Sequence, residues 1–323
     1  MEHDKIIAVV GATGAQGGSL VRAILNDPEG GFKARAITRD AASDKAIHLQ
    51  SLGAEVVEAN VDDKESLIKA FKGAYGVYCV TFFWEHFSPE TEMKHAKNMA
   101  EAAKTAGVKH VIWSTLEDTR KWVPLDDDRM PTLMEKYKVP HFDGKGEAND
   151  YFIKSGIPYT LLHTSFYWDN FINFGMGPQP GKDNEWSITL PMGDKKLPGI
   201  AAEDIGKCAY QFFKGGEKYT NASIGIAGDH LTGDEIAATF TKVLQKKVNC
   251  NKVSPEMFRS FDFPGADDLG NMFQFKADFE DYFCGARNLE FSRKLNPEML
   301  SFEDWLIKNR ESFEKSTAAS VQE

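Results

Sequence analysis

The chain has 323 residues and a formal net charge of −10, with 42% apolar and 27% charged residues. These proportions are those of an ordinary globular protein with enough apolar material for one large core or two smaller ones. The acidic balance, without a Lys/Arg cluster, argues against direct binding to nucleic acid or to an anionic membrane surface. No apolar run reaches the ~18 residues of a bilayer-spanning helix.

Cysteine usage bears on the cellular compartment and on metal binding. The four cysteines match no zinc-ligand spacing and contain no CxxC pair. These residues are Cys79, Cys208, Cys250 and Cys284. The N-terminus also lacks the signature of a secretory signal. Together these features predict reduced, space-filling thiols in a cytoplasmic protein, with the nucleus as a further compartment, and no metal site.

The first half of the chain alternates short apolar runs with amphipathic stretches. In chain order, strands are predicted at residues 6–10, 33–38, 55–61, 76–81, 109–114 and 159–163. The helices between them are predicted at residues 19–25, 46–52, 65–71, 92–106 and 144–155. Because strands that alternate with helices are typical of βαβ units, we predict an α/β fold with a Rossmann-type, doubly wound parallel sheet.

The segment 117–140 interrupts this rhythm. It is charged, contains Pro124 and Pro131, and carries a run of three aspartates at 126–128. Prolines and blocks of like charge both disfavour a continuous helix or strand. We therefore predict a surface excursion before the next helix.

The second half opens on a group of aromatic residues, followed by a Gly/Pro-rich loop at 175–181. The aromatic residues are Phe166, Tyr167, Trp168, Phe171 and Phe174. Capping-box chemistry predicts two helix starts, at Thr232 with Glu235 and at Ser301 with Asp304. We predict a Rossmann domain at 1–165, a smaller α+β lobe at 166–323 that is partly interleaved with the sheet, and a frayed polar tail at 316–323.

A glycine-rich loop follows the first predicted strand and precedes the first helix. Its residues are Gly11, Ala12, Thr13, Gly14, Ala15, Gln16 and Gly17. Glycine permits a tight turn and a close approach of pyrophosphate, and the N–H groups of the helix start then face the anion. Thr13 and Gln16 can add side-chain hydrogen bonds. This context predicts dinucleotide binding, with a glycine turn of an unrelated α/β fold as the alternative.

Arg39 ends the second predicted strand, about 20 residues past the glycine loop, where the choice between NAD and NADP is made. A guanidinium pairs with the 2′-phosphate of NADP in bidentate fashion and gains nothing from a bare hydroxyl. Arg39 therefore favours NADP(H). In the alternative interpretation Arg39 is a solvated strand-end charge, and the following Asp40 would weaken a phosphate site.

The ends of two further strands contribute candidate contacts. Asn60 and Val61 end the third predicted strand, where the adenine edge would lie. Thr81, Phe82 and Phe83 end the fourth, over the crevice in which open α/β sheets bind ligands.

Four stretches of the chain resemble the NmrA-like family of atypical short-chain dehydrogenases/reductases. They are IIAVVGATGAQGGSL, VTFFWE, HFDGKGE and FPGADDLGNMFQF. The GxxGxxG spacing is shared with many reductases, whereas the last two stretches are more specific, and the resemblance runs from the first strand to Trp305. It implies an NADP(H)-binding redox sensor that signals by changing its conformation or partners, without established turnover.

The resemblance also implies a set of cofactor contacts. They are residues 11–16, Arg39, Asn60, Val61, Thr81, Phe82, Phe83, Lys94, Lys145, Tyr167, Trp168, Asp169 and Asn170. Asn60 stands where an Asp is common in the family, so a neutral amide would recognise the adenine. From the residues alone, Lys94 is nearly as well explained as a solvated helix charge. The aromatic cluster around Tyr167 is more often core than a ligand site.

Catalysis depends on the residues that precede Lys145. Active short-chain reductases place a Tyr four residues before this Lys on one helix face, and here that position is His141. Tyr137 lies about two turns earlier, but Pro140 stands between them and disfavours a continuous helix. A histidine is a competent proton donor near neutral pH, and Ser114 could polarise a carbonyl. His141, Ser114 and Lys145 are the catalytic candidates, with a capping or packing role for His141 as the favoured alternative.

Two functions of different classes follow from these residues. The first is a non-catalytic NADP(H) sensor that acts on a regulatory protein partner or through a change in homodimerisation. The second is an NADPH-dependent reductase of a small carbonyl or quinone that uses His141, Ser114 and Lys145. The missing Tyr argues for the first.

Overall fold

The structure is a computed structural model that describes residues 4–181 and 185–313. The tail predicted at 316–323 lies outside the described residues. The chain packs as two compact units. The first contains the described residues of Met1–Leu125 with Pro140–Thr164 and Ala202–Ile224, and the second contains Asp126–Val139, Ser165–Ala201 and the described residues of Gly225–Glu323. Since each unit takes segments from both sides of residue 165, the assignment of separate domains to 1–165 and 166–323 stays a prediction.

Strands and helices alternate through the first half, as predicted. The strands are β1 (Lys5–Val10), β2 (Phe32–Thr38), β3 (Glu55–Glu58), β4 (Gly76–Cys79), β5 (His110–Thr115), β6 (Tyr159–His163), β7 (Phe166–Tyr167), β8 (Gln179–Pro180), β9 (Trp186–Thr189), β10 (Leu197–Ile200), β11 (Ala222–Gly225), β12 (Asp229–Leu231) and β13 (Val248–Asn251). The helices are α1 (Ala15–Leu25), α2 (Asp44–Ser51), α3 (Lys64–Phe71), α4 (Pro89–Thr105), α5 (Pro140–Ile153), α6 (Asn170–Asn173), α7 (Ala202–Gly215), α8 (Gly233–Leu244), α9 (Pro255–Arg259), α10 (Ala266–Asp278), α11 (Glu280–Gly285), α12 (Leu289–Leu295) and α13 (Phe302–Lys308). Of the helices in the described ranges, none has the length and apolar character that crossing a bilayer requires.

A seven-stranded sheet forms the centre of the first unit, in the order β11-β6-β5-β4-β1-β2-β3. The neighbouring strands from β6 across to β3 pair in parallel. Strand order reverses between β1 and β4, because the chain moves outward from β1 to β3 and then returns to the other side of β1. The predicted Rossmann-type sheet is confirmed, and its switch point lies between β1 and β4.

One hydrophobic core of this unit lies against the face of the sheet that α3, α4 and α5 cover. Phe71, Val77, Met99 and Trp113 are buried there, and the Trp113 ring stacks on Phe152 with 4.9 Å between centroids. Removing each such large side chain from water stabilises the fold by about 1.5–3 kcal/mol. This packing holds the strand ends in place.

Local chemistry sets the start and end of the long helix α4. The Ser88 hydroxyl accepts a hydrogen bond from the Thr91 amide, and Pro89 occupies the first turn, where a missing N–H costs nothing. Gly107 follows the helix with a φ of +71°, as expected of a C-cap glycine.

The second unit is the predicted α+β lobe and carries two three-stranded sheets, β12-β10-β7 and β13-β9-β8. Both predicted capping pairs are confirmed. Thr232 and Glu235 form a reciprocal capping box at α8, and the Ser301 hydroxyl accepts from the Asp304 amide at α13. Within the Gly/Pro-rich stretch predicted as loop, residues Gln179–Pro180 form the short strand β8.

The prediction of a surface excursion at 117–140 is wrong for much of the segment. Val123, Met130, Tyr137 and Val139 are buried. Lys138 is also buried, and its ammonium donates to the carbonyl oxygens of residues 127 and 130 at 2.8 Å each. The charge pattern suggested a solvated loop because sequence alone does not reveal which charges find partners inside the fold.

Two strands end earlier than predicted. β3 ends at Glu58 and β4 at Cys79, so Asn60, Val61 and Thr81 lie in the loops beyond the strands. β3 ends opposite Thr38, the last residue of β2, whereas β4 ends opposite Trp113 although β5 continues to Thr115. The apolar pattern shows neither end.

Candidate functional site

The carboxyl ends of β1, β2, β4 and β5 lie at one edge of the seven-stranded sheet, because these strands are parallel neighbours. Each of these ends is followed by residues that the sequence singles out. Open α/β sheets bind ligands at this edge, next to the switch point. The candidate site is therefore built on the first unit.

The glycine loop connects β1 to α1. Gly11 has a φ of +66°, and a Cβ at Gly17 would lie 2.3 Å from the Gly11 carbonyl oxygen, so only glycine fits at Gly17. Gly14 is the N-cap of α1, with no side-chain hydrogen bond to the free N–H groups and no acidic residue in the first turn. This arrangement suits a pyrophosphate, since a helix N-terminus attracts an anion and no side chain competes for its donors.

Gln16 turns away from the loop and toward the strand ends. Its amide oxygen accepts a hydrogen bond of 2.7 Å from the Ser114 hydroxyl and another from the Tyr78 hydroxyl. Gln16 therefore ties the glycine loop to β4 and β5. The sequence predicted a side chain that bonds the cofactor, and here its oxygen is engaged by the protein.

Arg39 follows β2 and is 63% exposed, at the position expected to meet a 2′-phosphate. Its Nη1 donates to a carboxylate oxygen of Glu85. Glu85 ends the short 3₁₀ turn Phe83–Glu85 that follows β4. Arg39, the residue expected to bind the phosphate, thus already has an anionic partner, which the sequence did not predict.

Lys94 of α4 has a similar partner in the loop after β3. Its ammonium lies 2.7 Å from a carboxylate oxygen of Asp62, and hydrogen bonding to Lys94 lowers the pKa of that carboxyl. The Asn60 side-chain oxygen accepts from the Asp62 amide at 3.0 Å, and the Val61 carbonyl accepts from Asn98 at 2.9 Å. The predicted adenine contacts form a structured loop, and their role toward a ligand stays a prediction.

Lys145 of α5 reaches the loop after β4. Its ammonium lies 2.8 Å from Glu92 Oε1 and donates to the hydroxyl and carbonyl of Thr81, while the Thr81 hydroxyl donates to Glu92 Oε1 at 2.8 Å. Burial alone would raise the pKa of the Glu92 carboxyl, but the Lys145 charge and interactions with His86, Lys145 and Thr81 lower it to about 2. The Glu92 carboxyl therefore stays ionised at neutral pH.

His141 lies one turn before Lys145 on α5, which begins at Pro140 and not at residue 144 as predicted. The helix does not extend back to Tyr137, as the proline indicated. The His141 ring is buried with its centroid 4.9 Å from Trp84 and 5.9 Å from Phe83. Phe83 is buried in the same cluster, whereas Phe82 is 56% exposed. Phe83 therefore offers a ligand little surface, and Phe82 offers much.

Three side chains beside Lys145 are close enough to hold a metal ion. His86, Glu92 and His95 each place one ligand atom within 4.8 Å of the others, although the sequence predicted no metal site. However, the Ser88 amide donates to His86 Nδ1 at 3.1 Å. A ring that accepts at Nδ1 carries its proton on Nε2, which therefore has no lone pair for a metal. His86 Nε2 lies 3.5 Å from Glu92 Oε2, and both buried atoms lack a hydrogen-bond partner in the described structure.

The predicted contacts Tyr167 to Asn170 belong to the second unit. Tyr167 ends β7, Asp169 is the N-cap of α6, and both are partly exposed with Asn170. Trp168 is 2% exposed, and its ring packs 5.4 Å from Phe302. Its backbone N–H donates to the Ile200 carbonyl at 3.0 Å, and its carbonyl accepts from the Phe171 amide at 2.9 Å. A cofactor contact by Trp168 stays a prediction.

The structure brings together most of the predicted site residues of the first unit. The residues at or beside the carboxyl edge of the sheet are the glycine loop, Arg39, Thr81, Ser114, His141 and Lys145. Sequence reasoning missed the carboxylates that partner the cations, Glu85, Glu92 and Asp62, and the Tyr78 hydroxyl on Gln16. The only available signal was that Glu92 lies near the start of a predicted helix, where acids are common.

Comparison with known proteins identifies the family. A model of the NmrA-like family matches residues 3–306. The NmrA-like family domain-containing oxidoreductase FrzB of a Cladobotryum species is 31% identical over 293 residues, which are 84% of this chain and 83% of the relative. The chain belongs to the NmrA-like family, and the resemblance seen in its motifs is confirmed.

Solved structures support the fold. NmrA, a negative transcriptional regulator, in complex with NADP superposes with a TM-score of 0.79 at 23% identity and covers 98% of both chains. The triphenylmethane reductase of a Citrobacter species, complexed with NADP(H), superposes with a TM-score of 0.73 at 21% identity and covers 94% of this chain and 99% of that one. The same fold thus carries one protein named as a regulator and another named as a reductase.

Proposed function

We propose that this member of the NmrA-like family binds NADP(H) at the carboxyl edge of its parallel sheet and acts as a redox sensor without dehydrogenase turnover. In this proposal the N–H groups at the start of α1 bind the pyrophosphate, Arg39 binds the 2′-phosphate and Lys145 binds ribose hydroxyls. The glycine cradle, with no room for a Cβ at Gly17, supports the first of these assignments.

One observation carries the preference for a sensor. The residue one turn before Lys145 is a buried histidine packed against Phe83 and Trp84, where working short-chain reductases have a Tyr. A general acid must reach its acceptor, and a ring enclosed by aromatic side chains is poorly placed to do so. Dinucleotide binding then remains the function that the other residues serve.

A sensor needs an output. We propose that the output is a change in a regulatory protein partner or in homodimerisation, in the cytoplasm or nucleus. A ligand shifts such an equilibrium only by its different affinity for the two states. Sedimentation velocity with and without NADPH tests this part, and an unchanged oligomeric state together with unchanged protein partners would contradict it.

Calorimetric titration with NADP⁺ and NAD⁺ tests the cofactor assignment. We expect the wild type to prefer NADP⁺, and Arg39→Ala to lose about 10- to 100-fold of that affinity with little change for NAD⁺, since a charged hydrogen bond is removed. Lys33→Ala is the matched control, because Lys33 is an exposed cation of β2 that pairs with Asp4 at 3.0 Å, at the other end of the strand. No binding of either dinucleotide would refute the proposal.

The second candidate is an NADPH-dependent reductase of a carbonyl or quinone. The family relatives named as oxidoreductases favour it, as does the i, i+4 placement of His141 and Lys145 on α5. NADPH, when bound, supplies a hydride, and His141 would donate the proton while Ser114 polarises the acceptor oxygen. NADPH oxidation across a panel of carbonyls and quinones decides between the candidates. Turnover that His141→Ala abolishes would establish the reductase, and no consumption with any acceptor would leave the sensor.

A further inference from the structure

The ion pair between Arg39 and Glu85 joins loops that follow different strands. Arg39 comes directly after β2, and Glu85 ends the 3₁₀ turn after β4. In the sheet, β1 lies between these two strands. The pair therefore bridges the strand whose carboxyl end begins the glycine loop, beside the switch point at which a dinucleotide would bind.

The contact between the two side chains is direct but exposed. Arg39 Nη1 lies 2.5 Å from Glu85 Oε1, and the side chains are 63% and 47% exposed. An exposed pair of this kind contributes at most about 1 kcal/mol, so a ligand that competes for one partner loses at most about fivefold in affinity. Glu85 can therefore tune binding at Arg39 without preventing it.

From this geometry we propose that Glu85 sets the discrimination between NADP and NAD by competing with the 2′-phosphate for Arg39. This inference builds on the proposed function, because it takes the dinucleotide site as given. A 2′-phosphate needs the guanidinium donors in bidentate geometry, so it must displace the Glu85 carboxylate from Arg39. NAD has a hydroxyl there and can bind while the ion pair persists.

The chain offers a matched control for the loss of one carboxylate. Glu55 of β3 pairs with Arg35 of β2 at 2.9 Å and is 52% exposed. Arg35 lies on β2, four residues before Arg39 and therefore about 13 Å away along the extended chain. Glu55→Gln removes one carboxylate charge from an Arg–Glu ion pair whose arginine is more buried than Arg39, away from the carboxyl edge of the sheet.

The experiment is calorimetric titration with NADP⁺ and with NAD⁺ of the wild type, Glu85→Gln and Glu55→Gln. We expect Glu85→Gln to tighten NADP⁺ binding about three- to fivefold and to change NAD⁺ binding less than about twofold. Glu55→Gln should leave both affinities within about twofold of the wild type. Glu85→Ala should behave like Glu85→Gln, which separates the loss of charge from any effect of the amide.

The double variant Arg39→Ala/Glu85→Gln identifies the mechanism. If Glu85 acts through Arg39, its substitution should change NADP⁺ affinity by less than about twofold once Arg39 is absent, because the coupling between the two residues is then lost. An undiminished gain in that background would mean that Glu85 repels the phosphate independently, and would overturn the inference.

Other outcomes also decide the question. If Glu85→Gln binds NADP⁺ and NAD⁺ more tightly to the same extent, Glu85 is a general barrier to dinucleotides. If Glu85→Gln binds NADP⁺ more weakly, Glu85 is a residue that orients Arg39. Either result overturns the inference, while the proposed function stands. If the wild type binds neither dinucleotide, the proposed function and this inference fall together. A circular-dichroism melt of each variant establishes that a change in affinity is not a change in folding.

Discussion

The Lys145 ammonium lies 2.8 Å from Glu92, a carboxylate that is only 1% exposed. Burying an ion pair to this degree costs desolvation free energy. Removing one partner destabilises the fold far more, because the other charge is then buried without a partner. Glu92 therefore holds the Lys145 ammonium at the edge of the sheet, and the stability of the first unit depends on the ionisation of Glu92.

The first prediction concerns the stability contributed by this pair. Glu92→Gln should destabilise the protein by on the order of 3 kcal/mol at neutral pH, because it leaves the Lys145 charge without its partner. Urea unfolding measures the change. Glu101→Gln is the control, since Glu101 is an exposed residue of the same helix that pairs with Lys64 at 3.0 Å, and it should cost less than about 1 kcal/mol.

The effect of Glu92 also has a pH signature. Its pKa is lowered from 4.5 to about 2, so its contribution is complete above pH 4.5 and is lost as the pH falls toward 2. The difference in unfolding free energy between wild type and Glu92→Gln should shrink across that window. A difference that stays constant down to pH 3, or is absent at pH 7, would contradict the assignment.

The second prediction concerns His110, which is buried at the start of β5. Its Nε2 lies 2.8 Å from the Thr160 hydroxyl, which itself donates to the Tyr219 carbonyl, so Nε2 carries the proton and donates to Thr160. Burial lowers the pKa of His110 from 6.5 to about 4. The neutral ring stabilises the fold above pH 6.5, and this contribution is lost as the pH falls toward 4.

Unfolding measured between pH 7 and pH 4 tests this expectation. The wild type should lose up to about 3 kcal/mol from this group, and His110→Gln should lack that part of the slope. His48→Gln is the control, because His48 lies on the exposed side of α2 and should leave the slope unchanged. Identical slopes for wild type and His110→Gln would show that another group titrates.

The third prediction concerns the shape of the glycine loop. In Gly17→Ala the new Cβ would lie 2.3 Å from the Gly11 carbonyl oxygen, a backbone atom that cannot move without opening the turn. We expect a loss of on the order of 2 kcal/mol in unfolding free energy, together with loss of NADP⁺ binding. At Gly14 the same distance is 3.2 Å, so Gly14→Ala should cost less than about 1 kcal/mol. Equal stability of the two variants would mean that the loop is not as tight as described.

The fourth prediction concerns the thiols. Burial raises the pKa of Cys79 and Cys208 far above the ordinary range, and raises the pKa of Cys250 and Cys284 to about 11. Because the thiolate is the reactive form, the latter two should react with a thiol reagent about 100-fold more slowly than a free cysteine at pH 7, and the former two only after unfolding. Mass spectrometry of partly labelled protein assigns the sites. Fast labelling of Cys79 in the native protein would contradict its placement in the core of the sheet.

Much of the first unit was predictable from residues that are close in sequence. The start of one βαβ unit is defined by Ile6 to Val10, the glycine loop and the apolar stripe of α1. These segments are predictable because periodicity and turn chemistry act over a few residues. The same holds for the capping pair Thr232 and Glu235. Strand ends were less predictable: Asn60 and Thr81 were assigned to strands and lie beyond them, because the apolar pattern does not mark where pairing between strands ends.

The candidate site divides in a similar way. Its backbone features and its cations were predicted, since glycines, Arg39 and Lys145 occupy positions defined by the motif. The partners of those cations were not, because Arg39 and Glu85 are 46 residues apart and Lys145 and Glu92 are 53 apart. Only the order of the strands brings such residues together.

The sequence by itself therefore determined the class of this protein: a parallel sheet that presents a glycine cradle, a strand-end arginine and a helix lysine at one edge. These features depend on local geometry and on composition, which a single chain displays directly. The tertiary structure alone decided how those groups are restrained. It buried His141 among aromatic rings, placed Gln16 on Ser114 and gave each cation a carboxylate partner, because burial and electrostatic pairing depend on distances in space that no spacing along the chain encodes.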